Sequence, residues 1–399
     1  MVLRSNNGPK ERRVALAEQL TERNLDVAII SDPKHIYYFT GFTSKMHLQD
    51  LLHKTSRSSS FLGVSKDGAS FLVLADSDLV NPFLKEEVIT SKGVFDGPVY
   101  TYGDYNIEER MVPRADFVAE ELAEVLEDMK SKGGFDFGRV GIEDWHLADV
   151  YRSQISRAFP NTQFFGLSSN LVSMRKVKVD DEISCVREAT KRLDFAFDIA
   201  RPLAKVGLAE KELFEQISFA FSREYGNSSL VVGDLLSGSR TGDIIGQPTS
   251  RKLENGDSVI LDLQTDFGNY WSDIARTFTV GKPSDGQNRI LKTLLKALEK
   301  TESLLRPGTK CKEIYHATSE EIVKAGYSKG LIHHAGHGIG LEHREPPFFL
   351  PSSEDELEAG VTCSLELGIY ETSEGARIED CYLITKDGCE KISNSPLEF

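Results

Sequence analysis

Apolar and polar positions change their period several times along the chain. In "RRVALAEQLTERN", Val14, Ala17 and Leu20 recur at helical spacing and predict an amphipathic helix. "DVAII" then reads as a short buried strand. "FLGVSKDGASFLVL" sets two β-rich runs around Asp67-Gly68, a hairpin signal. "RADFVAEELAEVLEDMK" returns to the helical period, and "GRVGIE" to a buried strand. Strands with covering helices predict an α/β domain over residues 1–170.

The pattern then shifts. "MRKVKVDDEISCVREATKRLDFAFDIA" predicts a long helix opened by Asp180 or Asp181. "GLAEKELFEQISFAFSREYG" predicts a second, stopped by Gly226. Strand-rich segments follow, with one more helical region from Gln287 to Leu305. Residues 172–399 therefore read as an α+β domain with antiparallel hairpins.

Composition narrows the class. A chain of 399 residues is too long for one ordinary core, which agrees with two domains. Lys and Arg number 47 against 62 Asp and Glu, a net charge of −15 that argues against nucleic acid as a partner. The five cysteines are scattered without C-x-x-C spacing, so a disulfide framework or cysteine zinc site is not expected. No apolar run is long enough for a membrane span and no signal-type segment opens the chain, so a cytoplasmic protein without a membrane partner is expected.

Two hairpins carry the candidate chemistry. "SVILDLQTDFGNYWSDIARTFTV" has two strand-type runs around "DFGN". A turn centred between Phe267 and Gly268 sets Asp262 opposite Asp273. "TCSLELGIYETSEGARIEDCYLI" repeats the device around "ETSE" and sets Glu366 opposite Glu379. Cross-strand neighbours have Cβ atoms roughly 4.5–5.5 Å apart, where like charges repel. Carboxylates gathered among apolar residues need cations, because buried unpaired charge is costly. Carboxylate oxygens with an imidazole suit Mn²⁺, Co²⁺, Fe²⁺ or Zn²⁺, and a pair of such ions could activate a water. The residues thus point to a dinuclear hydrolase. Between the hairpins lies "HHAGHGIG", where Gly336, Gly338 and Gly340 favour a loop over a helix.

At these residues the chain resembles the pita-bread metallohydrolases, which include Xaa-Pro aminopeptidase, prolidase, methionine aminopeptidase and creatinase. "LDLQTDFGNYWSDIARTF" resembles the paired-aspartate hairpin, "HHAGHGIGLE" the histidine motif, "LELGIY" the E-P-G-I-Y motif with Leu367 for proline, and "RIEDCYLIT" the final glutamate motif. "DPKHIYYFTGF" resembles the front domain of prolidase and creatinase relatives. The resemblance implies a creatinase-like N-terminal α/β domain, 1–170, and a C-terminal pita-bread catalytic domain, 172–399, in a homodimer. It implies Asp262, Asp273, His337, Glu366 and Glu379 as ligands of two divalent ions, Mn²⁺ foremost and Co²⁺, Zn²⁺ or Fe²⁺ otherwise. Glu366 would also shuttle the proton, and His333 would approach the substrate, a small peptide or other small molecule. The activity implied is hydrolysis of Xaa-Pro bonds.

Two positions depart from the peptidase pattern. Ile245 stands where peptide-cleaving relatives place a histidine, and Arg344, with His343 beside it, where they place another. His343 and Arg344 are therefore candidates for a substrate carboxylate. The same departures keep open a creatinase-like or ectoine-hydrolase-like C–N hydrolase, or a metal-dependent lyase. A silent binding protein would not need five ligands. Arg377 is expected to orient ligands, and His334, without a family counterpart, to be a polar loop residue.

Overall fold

The computed structural model describes residues 7–43, 60–75, 95–103, 115–226, 230–327 and 332–397. Chain contacts divide it into two compact units, Met1–Leu171 and Val172–Phe399.

The first unit begins with α1 (Asn7–Glu22), β1 (Val27–Ile30) and α2 (Pro33–Thr40). A hairpin follows, β2 (Phe61–Ser65) and β3 (Ser70–Ala75), turning at Asp67-Gly68 as the sequence predicts. Then come β4 (Val99–Tyr102), α3 (Ala115–Ser131), β5 (Arg139–Ile142), α4 (Asp149–Ala158), β6 (Gln163–Gly166) and α5 (Ser168–Met174). Its six-stranded sheet runs β4-β3-β2-β1-β5-β6, antiparallel at β1–β2 and β2–β3 and parallel elsewhere. The buried stripe of α1 differs from expectation. Leu16, Ala17 and Leu20 are buried, but Val14 is exposed, because buried Arg12 and Arg13 turn inward to cap the carbonyls of Tyr38 and Phe39.

The second unit opens with α6 (Asp180–Leu203) and α7 (Glu210–Tyr225). The carboxylate of Glu182 accepts from the Val179 amide at 2.9 Å and fixes the start of α6. Gly226, at φ 88°, ends α7 in a backbone region that favours glycine. Strands β7 (Val232–Ser237), β8 (Ser258–Phe267) and β9 (Tyr270–Thr279) follow, then α8 (Asp285–Glu302) and α9 (Cys311–Lys324). The chain closes with β10 (Gly336–Gly338), β11 (Glu345–Phe348), β12 (Thr362–Tyr370), β13 (Gly375–Ile384) and β14 (Cys389–Lys391). The sequence reading does not anticipate α9. Its β-branched and aromatic residues, Ile314, Tyr315, Thr318 and Ile322, are weak helix formers. Packing decides it: Ile314 and Ile322 join the core that α8 and α9 form beneath β12 and β13.

The eight-stranded sheet runs β11-β10-β12-β13-β9-β8-β7, with β14 beside β13. Strand alternation splits the chemistry from the core. Leu365, Leu367, Ile369 and Ile378 point into the apolar cluster with Ile290, Leu294 and Ala297. Glu366 and Glu379, one residue out of phase, point to the other face. On β9, Ser272 meets Thr190 of α6 at 3.0 Å, so Asp273 also faces away from the covering helix. Among the described residues no helix is long and apolar enough to cross a membrane.

Candidate metal centre

The sheet lays out a row of acidic positions. Glu366 pairs with Glu379 across β12–β13, as the sequence register predicts. Glu379 pairs with Ala275 on β9, and Ala275 with Asp262 on β8. Asp262 in turn faces Asp234 on β7. Asp273 lies two residues from Ala275 on the same face.

The aspartates are not directly opposed. The hairpin turns on Gly268 and Asn269, both at positive φ, so Phe267 pairs with Tyr270, Gln264 with Asp273 and Asp262 with Ala275. A two-residue turn of this hand matches the twist of the strands, which sets the register two residues from that expected. The aspartates are diagonal neighbours on one face. Gln264 fills the space between them, and its Nε2 donates to Asp262 Oδ1 at 2.5 Å and to Asp273 Oδ1 at 2.8 Å.

Within the histidine segment only Gly336–Gly338 form a strand, β10, while His333–Ala335 and Ile339–Gly340 are irregular, as a loop predicts. This strand pairs with β12, placing His337 opposite Ser364. Gly336 is required there: at φ 145°, a Cβ would lie 2.2 Å from the Ser364 carbonyl oxygen. Close approach of β10 to β12 brings His337 to the acidic row. Its Nδ1 faces the Gly338 carbonyl at 3.0 Å, so that nitrogen carries the hydrogen and donates. Nε2 then presents a lone pair. It faces Glu379 Oε1 at 3.6 Å, Asp273 Oδ2 at 3.8 Å and Glu366 Oε2 at 3.9 Å. Burial holds the His337 imidazole neutral by lowering its pKa.

That arrangement sets acceptor against acceptor. Asp262, Asp273, His337, Glu366 and Glu379 are all at most 3% exposed. His337 Nε2, Glu366 Oε2 and both oxygens of Glu379 lack any hydrogen-bond partner. Burial first, then neighbouring carboxylates, raise the pKa of Asp273 and of Glu379 well above the usual range. Asp273, His337 and Glu379 offer ligand atoms within 4.8 Å of one another, as do His333, His334 and Glu366. Such a donor set, mostly carboxylate with imidazole, fits a divalent cation. Glu366 behaves differently. Burial would raise its pKa, but His333, Arg377, His334 and His337 outweigh this and hold it at about 2. Of these, Arg377 is charged at every working pH.

Arg377 reaches the row from β13. It donates to Asp262 Oδ2, to the Ile244 carbonyl and, through Nε at 2.7 Å, to the Tyr370 oxygen, and lies 3.6 Å from Glu366 Oε1. Tyr370 in turn donates to His333 Nε2 at 3.0 Å, since His333 Nδ1 donates to the His334 carbonyl at 2.5 Å. His333 is therefore held in one tautomer. His334 lies in the irregular stretch before β10, with its Nδ1 3.5 Å from Glu366 Oε2 and without a hydrogen-bond partner. Arg344 is exposed beside the row. Desolvation works against its charge, and Glu366, Asp273, Glu379 and Asp262 outweigh it and raise its pKa. His343 stacks edge-on against Trp271, centroids 5.9 Å apart. Ile245 is 70% exposed. Arg240, nearby in sequence, is bound by the buried carboxylate of Glu210. Gln264, Tyr370 and Asp234 were not singled out in the sequence. Only Tyr370 carried a signal there, as the last residue of the "LELGIY" motif.

Known proteins share this frame. The model of metallopeptidase family M24 matches residues 184–386, and that of the creatinase/prolidase N-terminal domain matches 12–177. An uncharacterized peptidase of Staphylococcus aureus (strain MW2) is 27% identical over 381 residues, covering 95% of this chain and 97% of its own. The solved Xaa-Pro dipeptidase of Bacillus anthracis is 25% identical with a TM-score of 0.81, covering 98% of this chain and 99% of its own. A dipeptidase of Pyrococcus horikoshii OT3 is 27% identical with a TM-score of 0.77, covering 97% and 99%.

Proposed function

The chain belongs to metallopeptidase family M24, and on that premise we propose that it is a divalent-cation-dependent peptidase cleaving Xaa-Pro bonds in dipeptides or short peptides. The observation that carries this reading is the buried set of bare acceptors: His337 Nε2, Glu366 Oε2 and both oxygens of Glu379 face one another without a donor. Likeness to the Xaa-Pro dipeptidase of Bacillus anthracis supports the substrate class.

Asp262, Asp273, His337, Glu366 and Glu379 would hold two divalent cations, Mn²⁺ foremost and Co²⁺, Zn²⁺ or Fe²⁺ otherwise. When bound they would supply Lewis acidity to water and to the scissile carbonyl. The chain's own groups do the rest. Glu366, ionised at neutral pH, takes a proton from the attacking water and passes it to the leaving nitrogen. Tyr370 holds the His333 ring so that its orientation toward the substrate is fixed before binding. Arg344 offers a planar guanidinium to a substrate carboxylate, with His343 beside it. Arg377 holds the Asp262 carboxylate in place.

A second reading is a C–N hydrolase acting on another small molecule. Ile245 and Arg344 favour it, since both stand where peptidases place histidines. Proline release from Xaa-Pro dipeptides and longer peptides, with Mn²⁺ or Co²⁺ and with creatine and ectoine included, separates the two. Proline release is expected. Turnover of creatine or ectoine alone would replace the first reading with the second.

A further inference from the structure

The turn between β10 and β11 carries His343 and Arg344, and the sheet ladder is interrupted there. The pairing of β10 with β11 shifts between His337 and Gly338, so His337 lies opposite Phe348 and Gly338 opposite Glu345. Such a shift breaks the ladder locally and re-aims side chains. Backbone bonds steady the start of the turn. The Gly340 amide donates to the Glu342 carbonyl at 3.0 Å, and the Trp271 amide to the Gly340 carbonyl at 2.7 Å.

Buried charge holds the rest. Glu345 Oε1 accepts from Lys178 Nζ at 2.7 Å, and both side chains are 1% exposed. Arg175, equally buried, donates to Glu342 at 3.1 Å and lies 3.5 Å from Glu345 Oε2. The same Glu345 oxygen accepts from the Glu342 amide at 3.3 Å. The cations are themselves anchored. The Lys178 amide donates to the Gly360 carbonyl at 2.9 Å, and Val177 bridges to Val361 at the lead into β12. The fit is close: a Cβ on Gly340 would lie 2.4 Å from Glu345 Oε1 and 2.9 Å from Lys178 Cε. Neighbouring side chains of extended backbone alternate in direction, so drawing Glu345 inward sends Arg344 outward, where it is exposed.

We propose that Arg175, Lys178 and Glu345 are positioning residues for substrate recognition: their buried ion pairs fix the turn Gly340–Glu345, so that Arg344 is already oriented when it meets the carboxylate of an Xaa-Pro substrate. This rests on the reading of Arg344 above and names what sets its geometry. A buried ion pair often adds no stability over apolar residues of the same volume. What it adds here is one defined arrangement of the turn. A guanidinium grips a carboxylate through two parallel hydrogen bonds only when its plane is correctly presented.

The test is steady-state cleavage of Ala-Pro by the Mn²⁺-loaded full-length protein, with Ala-Pro amide as a competitor that lacks the carboxylate. Arg344→Ala is expected to raise KM for Ala-Pro about 10–100-fold, as loss of a charged hydrogen bond does. The double variant Lys178→Met/Glu345→Gln removes the pair together and leaves Arg175 its bond to Glu342. It is expected to raise that KM about tenfold, with the loss in KM rather than kcat and inhibition by Ala-Pro amide unchanged. Added to Arg344→Ala, it is expected to change KM by less than about twofold, because both act through one contact. Gly340→Ala pushes the pair aside while keeping every charge. The same selective loss is expected of it, and it carries the test if the double variant fails to fold. An equal loss for Ala-Pro and its amide, a full further loss in the Arg344→Ala background, or an unchanged KM in both pair variants would overturn the proposal. An unchanged KM in Arg344→Ala would instead overturn the reading of Arg344 beneath it, and no cleavage of Ala-Pro by wild type would overturn the peptidase reading.

Discussion

The two acid-bearing hairpins make an instructive pair. Both belong to one sheet, both bury their carboxylates, and both point them to the same face. In β8–β9 the acids are diagonal, with Gln264 between them and Arg377 against Asp262. In β12–β13 the acids are directly opposed, and three of their four oxygens have no partner. Hairpins alike in sequence thus differ in what they demand. One is largely satisfied by protein donors, and the other needs a cation. An unpaired buried acceptor is a sharper marker of a ligand than an acidic motif.

Substitutions can break this comparison. The largest effect is expected from Glu366→Gln, which keeps the shape but removes the proton acceptor. It should lower kcat by about 10²–10⁴-fold with the circular dichroism spectrum unchanged. Full activity would remove Glu366 from proton transfer. Arg377→Met comes next. It strips Asp262 of its cationic partner and should cost about 3–5 kcal/mol in denaturant unfolding, as broken buried pairs do.

The comparison then sharpens to a difference in sign. In metal-stripped protein at pH 7, Glu379→Gln should stabilise by about 1–3 kcal/mol, because it removes a buried carboxyl that has no partner when ionised and must otherwise take up a proton on folding. The pKa of Glu379 is raised by folding, so its contribution to stability is present below the unfolded carboxylate pKa and lost as pH rises through the folded one. Asp262→Asn is the same chemical change with the opposite expected sign, since it deprives buried Arg377 of its counter-ion. Equal signs in urea melts would show that the hairpins do not differ. Tyr370→Phe should have the smallest effect. It frees the His333 ring, and a loss of a few-fold in kcat/KM on Xaa-Pro dipeptides is expected.

How much was legible in the sequence follows from the turns. "ETSE" fixed the β12–β13 register, and Glu366 opposite Glu379 could be read from it. "DFGN" could not be read so directly, because Asn269 accepts positive φ and moves the turn by one residue. That step places Gln264, rather than Asp262, opposite Asp273, and no motif marks an amide in a strand. His334 was opaque for a related reason. Where its side chain points depends on how closely β10 approaches β12, which Gly336 permits but adjacent residues do not encode. Helix α9 was hidden by weak helix formers that gain their stability from packing. The fold class, by contrast, was legible from alternating periods and ordered motifs, and the family matches bear it out.

The central claim is that buried acceptors face one another here because a cation joins them. Thermal unfolding of stripped protein at pH 7, with and without Mn²⁺ or Co²⁺, tests it most directly. At a metal concentration 100-fold above Kd, stabilisation of about 2.7 kcal/mol is expected, and the unfolding midpoint should rise with metal concentration. In Glu379→Gln the rise should shrink. An unfolding midpoint that does not move with either metal would contradict the account.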